Sequence, residues 1–169
     1  MTTVIVNGAC GRMGQAVLKA VQEADGLELV GAVDIKGGAD TGALVGLPAN
    51  GILVETDLEA LLTRKKPEVM VDFTRPDVVF SNVKQALSAH VSPVVGTTGL
   101  SEEQKAEIAA LAARPGIEIH GHVPDLDPYM GETDDGRVGS RVHTVANGGH
   151  LMGDDGFFEL PQAWQAAQS

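Results

Sequence analysis

The first 120 residues alternate short apolar runs with longer amphipathic segments. The runs are almost continuously apolar, which is typical of parallel strands that are buried on both faces. Because helical segments separate them, the pattern predicts an α/β fold with an open, doubly wound parallel sheet and right-handed crossovers. The predicted strands cover residues 4–6, 27–33, 52–54, 69–71, 94–95 and 117–119.

Two of the intervening segments carry apolar residues at helical spacing. They predict a helix over residues 13–24 and a later helix that begins at Pro76, since proline is favoured in a first helical turn. The predicted apolar faces consist of Met13, Ala16, Val17, Ala20 and Val21 in the first helix, and of Val79, Phe80, Val83 and Leu87 in the second.

Two further helix starts are predicted from capping boxes. Thr56 is followed three residues later by Glu59, and Ser101 is followed at the same spacing by Gln104. In a capping box the hydroxyl accepts a hydrogen bond from the first turn, and the longer side chain reaches back to the N–H of the cap residue. We therefore expect helices to begin directly after Thr56 and Ser101.

A glycine-rich turn follows the first predicted strand and leads into the first predicted helix. Gly8, Gly11 and Gly14 recur at three-residue spacing, which allows a sharp turn, close approach of a pyrophosphate and close packing of helix on strand. Asp34 ends the second predicted strand twenty residues after Gly14, where a carboxylate binds the adenosine ribose in dinucleotide-binding folds. The pattern predicts a dinucleotide site at the carboxyl ends of the strands.

Charge and cysteine content narrow the class of protein. The net charge of −11, from 12 Lys and Arg against 23 Asp and Glu, argues against a nucleic-acid partner. Cys10 is the single cysteine and lies in the glycine turn, which excludes an intramolecular disulfide and favours a reducing compartment. The sequence has neither a signal-peptide pattern nor an apolar run of eighteen residues, so we expect a cytoplasmic protein without a membrane partner.

The composition changes after residue 120. Residues 121–169 hold eight of the 21 glycines, and their basic residues are Arg137 and Arg141 alone. We interpret residues 1–120 as a dinucleotide-binding domain and residues 121–169 as an irregular, glycine-rich acidic tail, a composition that favours partial disorder. His120 and His122 do not form a convincing ligand set with the nearby aspartates, and we expect no metal.

Three motifs occur in order after three predicted strands: Gly8-x-x-Gly11-Arg12-Met13-Gly14, Asp72-Phe73-Thr74 and Gly96-Thr97-Thr98-Gly99. Together they resemble the dihydrodipicolinate reductases of bacterial lysine and diaminopimelate biosynthesis. The resemblance covers about residues 1–120 and implies a Rossmann-type domain that binds NADH or NADPH.

The resemblance also implies roles for individual residues. Gly8, Gly11 and Gly14 would bind the pyrophosphate, with Arg12 and Met13 beside it. Asp34 would bind the adenosine ribose, and Phe73, Gly96, Thr97 and Thr98 would line the nicotinamide side. Asp72 is also compatible with a role as a cap at the end of its strand.

Lys36 bears on the choice between the two cofactors. A cation two residues beyond Asp34 can bind a 2′-phosphate that the carboxylate alone would repel. The alternative interpretation is a solvated loop lysine, and the sequence does not decide between them.

The part of the family that carries its chemistry is not matched. The family's catalytic lysine has no counterpart, since the sequence has no lysine after Lys105. The candidates for catalysis are His143, Arg141 and Arg137, and residues 121–169 are interpreted as a shortened substrate segment. Three functions stay open: a reductase acting on a small dicarboxylate, a non-catalytic dinucleotide-binding module, and a scaffold with a relict nucleotide loop. The oligomeric state is also open.

Overall fold

A computed structural model of the chain describes residues 1–97, 99–112, 119–121 and 142–143. These residues form seven strands: β1 (Thr2–Asn7), β2 (Leu27–Val33), β3 (Val54–Glu55), β4 (Val69–Asp72), β5 (Ser92–Val95), β6 (Ile119–Gly121) and β7 (Val142–His143). They belong to one sheet in the order β3-β2-β1-β4-β5-β6-β7, and all neighbouring pairs are parallel. The predicted doubly wound α/β fold is confirmed.

The predicted strands match the sheet with differences at their ends, and β1 and β5 each begin two residues earlier than predicted. The third parallel strand begins at Val54 rather than at residue 52, because Leu53 instead forms an isolated antiparallel bridge with Asp40. The sixth strand begins at Ile119, and residues 117–118 lie outside the described part of the chain. The expectations for the tail also lie outside it, apart from Gly121 and the two residues of β7.

Five helices are described: α1 (Arg12–Glu23), α2 (Thr41–Leu44), α3 (Leu58–Lys65), α4 (Pro76–Ser88) and α5 (Glu102–Ala112). The capping box before α5 is confirmed, because Ser101 Oγ accepts from Gln104 N and Ser101 N donates to Gln104 Oε1. The box at Thr56 is wrong. Asp57 is the cap of α3, and its carboxylate accepts from Ala60 N at 2.9 Å.

The short helix α2 was not predicted, and it belongs to a loop organised by one carboxylate. Asp40 accepts hydrogen bonds from the backbone N–H groups of Gly42, Ala43, Asn50 and Gly51. These bonds, with that from Ala43 the strongest influence, hold the pKa of Asp40 below its ordinary value. The loop between β2 and β3 is therefore closed on itself beside α1.

The sheet separates two apolar layers. Val4 and Val6 of β1 pack with α1 on one face, whereas Ile5 packs with α3 on the other. This alternation follows from the two-residue period of a strand. The buried face of α1 consists of Gly14, Val17, Leu18 and Val21, so it is rotated from the predicted stripe of Met13, Ala16, Val17, Ala20 and Val21.

The order of the strands fixes where a ligand can bind. β1 lies between β2 and β4, and the chain winds outward from β1 in opposite directions on its two sides. In doubly wound sheets a crevice opens at such a switch point, outside the carboxyl ends of the strands. The glycine turn after β1 lies at this point.

Candidate functional site

Gly8 makes the sharp turn that leaves β1. Its φ of +82° lies in the region that side chains disfavour, and an added Cβ would lie 2.6 Å from the carbonyl oxygen of Phe73. The turn is tied to the neighbouring strand, because the N–H groups of Gly8 and Ala9 both donate to Val33 O. The start of the turn is therefore fixed between the ends of β2 and β4.

Gly11 and Gly14 have different surroundings. A side chain at Gly14 would overlap the carbonyl oxygen of Gly8, so this glycine allows α1 to pack closely on the turn. Gly11 is exposed and is the cap residue of α1, with no side-chain hydrogen bond to the first helical turn. The first N–H groups of a helix have no partner within the helix. The positive end of the α1 dipole therefore lies at Gly11, where these N–H groups can bind an anion.

The carboxylate of Asp34 lies against the glycine turn. It accepts from Cys10 N at 2.9 Å and from Lys36 N at 3.2 Å. The hydrogen bond from Cys10 N joins the glycine turn to a residue 24 positions later in the sequence. The side chains of Arg12 and Lys36 are exposed beside it, and Met13 is half-buried.

Cys10 is half-buried and hydrogen-bonded within the turn. Its Sγ donates to Lys36 O at 3.3 Å, and Gln15 Nε2 donates to the Cys10 carbonyl at 2.9 Å. Burial and then the charge of Asp34 raise the pKa of the Cys10 thiol, against a smaller opposing effect of Lys36. The thiol is therefore protonated at neutral pH.

An exposed apolar side chain next to Asp34 was missed in the sequence. Ile35 is 87 % exposed, although isoleucine is usually buried. Its position directly after the strand-ending aspartate was the available signal. It adds an apolar surface to the adenosine side of the predicted site.

The other half of the predicted site lies after β4 and β5. The ring of Phe73 packs on Gly96 so closely that a side chain at Gly96 would overlap it. Thr97 is buried, and its Oγ1 donates to Thr74 O at 3.0 Å. The ends of the two strands are thus connected. Thr98 lies outside the described residues.

A polar cluster lies at the end of β4, where Asp72 and Asn7 are buried and Thr74 and Asn82 are half-buried. It consists of Asp72, Asn7, Thr74 and Asn82, and the Asp72 carboxylate is fully buried. The sequence pattern left Asp72 open as a strand cap and missed both asparagines. Asn7 ends an apolar run, which was a weak signal, whereas Asn82 lies inside a helix and gave none.

Of the three candidates for catalysis, the structure describes the backbone of His143. Residues 137 and 141 lie outside the described part of the chain. The backbone of His143 lies in β7, where it pairs with His120, and three strands separate β7 from β1. In the described residues there is no group of three or more potential metal ligands.

A groove of about 620 Å³ lies elsewhere, between α3 and α4. Its ammonium group, on Lys84, is paired with Glu107 and lies 5.2 Å from the centre of the Phe80 ring. The groove has neither a glycine turn nor a helix N-terminus at its centre. We therefore place the candidate site at the carboxyl edge of the sheet and not in this groove.

The fold and the turn define the class of protein: it is a doubly wound α/β protein of the Rossmann type. Residues 2–120 match the family model described as "Dihydrodipicolinate reductase, N-terminus". The chain belongs to this family.

Two similar sequences are both named as 4-hydroxy-tetrahydrodipicolinate reductases. The chain is 47 % identical over 116 residues to the 4-hydroxy-tetrahydrodipicolinate reductase of Rippkaea orientalis. The aligned region covers 64 % of this chain and 42 % of the relative. The chain is 43 % identical over 122 residues to that of Synechococcus elongatus, covering 68 % and 44 %. The chain therefore spans less than half the length of these relatives.

Similar solved structures agree. A dipicolinate-bound dihydrodipicolinate reductase from Paenisporosarcina sp. TG-14 matches with a TM-score of 0.60 at 33 % identity, covering 71 % of this chain and 47 % of that chain. An amine dehydrogenase from Mycobacterium smegmatis matches with a TM-score of 0.62 at 25 % identity, covering 72 % and 39 %. Among the described residues, none of the helices has the length and apolar character needed to cross a membrane.

Proposed function

We propose that this chain binds NADH or NADPH along the carboxyl edge of its sheet, as the cofactor-binding part of a dihydrodipicolinate reductase. One observation carries the proposal. The cap residue of α1, Gly11, leaves the N-terminal N–H groups of the helix open at the switch point between β1 and β4. Membership in the family supports it.

The pyrophosphate would lie against the turn from Gly8 to Gly14, with Arg12 and Met13 beside it. Gly8 and Gly14 shape the turn through their contacts with neighbouring backbone, and Gly11 leaves room for the anion. The exposed Arg12 guanidinium supplies a local positive charge in a chain whose net charge is −11.

The adenosine would extend toward β2. Asp34 accepts from Cys10 N and Lys36 N, which orients its carboxylate, and each oxygen keeps a further lone pair for a ribose hydroxyl. Ile35 offers apolar surface for the adenine. Among the described residues, the hydrogen bonds of Lys36 engage its backbone, and its exposed ammonium group would bind the 2′-phosphate of NADPH.

The nicotinamide would extend toward β4 and β5, against the wall formed by Phe73 and the turn of Gly96, Thr97 and Thr98. When bound, the nicotinamide supplies a hydride. The protein's part is to fix the ring against an acceptor, and the wall formed by Phe73 on Gly96 supports this role.

The proposed reaction is reduction of a small cyclic dicarboxylate. We propose Arg137, Arg141 and His143 as candidates for binding or protonating it, on residue type alone. An assay of NADPH oxidation tests this part: oxidation that depends on a dihydrodipicolinate-type substrate supports the reductase. Cofactor binding without oxidation would limit this chain to a dinucleotide-binding module.

Titration of NADH fluorescence tests cofactor binding. Gly11→Val adds a side chain where the anion would approach and where the nearest protein atom, Gly8 O, would be 3.3 Å from its Cβ. We expect at least a tenfold loss of NADH affinity, because the pyrophosphate loses its close approach. The matched control is Lys19→Val, which places the same residue at an exposed position of α1 and leaves the turn intact. Equal affinity in Gly11→Val and wild type would overturn the proposal.

A further inference from the structure

We propose that Asp72 and Asn82 are positioning residues for the nicotinamide half of the site. Both lie outside the residues predicted to bind the cofactor, and neither is placed in contact with it. They act by fixing the two loops that form the nicotinamide wall, after β4 and after β5. This inference rests on the proposed cofactor binding.

The Asp72 carboxylate accepts hydrogen bonds from four donor atoms. Its Oδ2 accepts from Asn7 Nδ2 at 2.9 Å and from Asn82 Nδ2 at 3.0 Å. Its Oδ1 accepts from Thr74 N at 3.0 Å and from Thr74 Oγ1 at 2.6 Å. One side chain thus joins the end of β1, the loop after β4 and the middle of α4.

Burial of the Asp72 carboxylate has a free-energy cost. Asp72 is 0 % exposed, and a buried carboxylate is unfavourable unless hydrogen bonds replace its hydration. Among the residues that the structure describes, no cation pairs with Asp72. A polar cluster of this kind is often no more stable than an apolar one, so its location at the carboxyl edge points to a positioning role.

Hydrogen bonds connect this polar cluster to the loops that form the nicotinamide wall. Asn82 Nδ2 also donates to Thr74 Oγ1 at 3.1 Å, and Thr74 O accepts from Thr97 Oγ1 at 3.0 Å. Phe73 N donates to Asn7 O at 3.0 Å, and its ring packs on Gly96. Phe73 and Thr97 are therefore held by bonds that lead back to Asp72. The adenosine side, at Asp34, is tied to the glycine turn instead.

This separation gives a prediction that a general structural role would not give. Asn82→Ala removes the α4 donor to both Asp72 and Thr74, so the wall loses its fixed spacing while the glycine turn is untouched. ADP-ribose contains the adenosine and the pyrophosphate but lacks the nicotinamide. The ratio of the ADP-ribose Kd to the NADH Kd therefore isolates the nicotinamide half.

Calorimetric titration of the full chain with NADH and with ADP-ribose tests the inference. We expect wild type and the neighbouring control Ser81→Ala to bind NADH more tightly than ADP-ribose. In Asn82→Ala the ratio should fall about tenfold, through weaker NADH binding at unchanged ADP-ribose affinity, as loss of a hydrogen bond to a charged group implies. If Asn82→Ala does not fold, Thr97→Val provides a second test. It removes the hydrogen bond from Thr97 Oγ1 to Thr74 O, the last in this series, and should lower the ratio in the same way.

Three results would overturn the inference: an unchanged ratio in Asn82→Ala and Thr97→Val, an equal loss for both ligands, or a wild-type ratio near one. Failure of wild type to bind ADP-ribose is a different result. It would overturn the proposed cofactor binding itself, and the positioning role with it.

Discussion

The three glycines of the turn have separate physical roles that their regular spacing does not reveal. Gly8 adopts a positive φ, Gly14 allows close packing against Gly8, and Gly11 is an exposed helix cap. Gly14→Val would force backbone atoms apart and therefore test folding, whereas Gly11→Val tests anion approach. The spacing predicted the site, but only the contacts assign these roles.

Lys36 provides a prediction about cofactor choice. Lys36→Ala removes an ammonium group that can bind a 2′-phosphate, and a hydrogen bond to a charged group contributes about 1.5–3 kcal/mol. We expect NADPH affinity to fall about tenfold and NADH affinity to change little. Parallel titrations with the two cofactors measure this, with Lys19→Ala as the exposed control. Equal losses for both cofactors would identify Lys36 as a solvated loop residue.

Cys10 provides a pH prediction at the same scale. Burial and Asp34 raise its pKa above the ordinary 9.0, so the folded protein retains the thiol proton to higher pH than an unfolded chain. The associated stabilisation is present below pH 9.0 and is lost as the pH rises through the folded pKa. Alkylation by iodoacetamide, followed against pH, should therefore have its midpoint above 9.0. A midpoint near or below the ordinary value would contradict the described environment.

At the start of α3 the cap residue predicted from the sequence differs from the one in the structure. Thr56 fits the capping-box pattern, yet the carboxylate one residue later occupies the cap position of α3. Asp57→Ala should destabilise the protein by about 1 kcal/mol, because Ala60 N loses its acceptor. Thr56→Ala is the matched control and should have little effect. Urea unfolding of the two variants measures the difference, and the reverse ranking would contradict the cap assignment.

Strands, and the helices with strong local signals, could be predicted from the sequence. Continuous apolar runs marked β1, β2 and β4 because buried parallel strands need them, and Ser101 with Gln104 marked α5. The short helix α2 and the bonds of Asn82 could not be predicted in this way. They depend on partners brought together by folding, such as Asn82 with Asp72, and no local pattern records them.

For the whole molecule, the family match covers the strands at whose carboxyl ends the candidate site lies. The match covers residues 2–120, and β6 ends at Gly121, so the predicted domain boundary at residue 120 falls within a strand. β7 extends the same sheet beyond that boundary. The division into residues 1–120 and 121–169 stays a prediction.

An amide NMR titration of the full chain with NADH tests cofactor binding at the carboxyl edge most directly. If NADH binds there, saturable shifts occur at the turn from Gly8 to Gly14, at Asp34 and Lys36, and at Phe73 and Gly96, which together outline the carboxyl edge from β2 to β5. The groove between α3 and α4, including Thr63 and Lys84, should be unaffected. Shifts confined to that groove, or no saturable shifts at the glycine turn, would contradict the central claim.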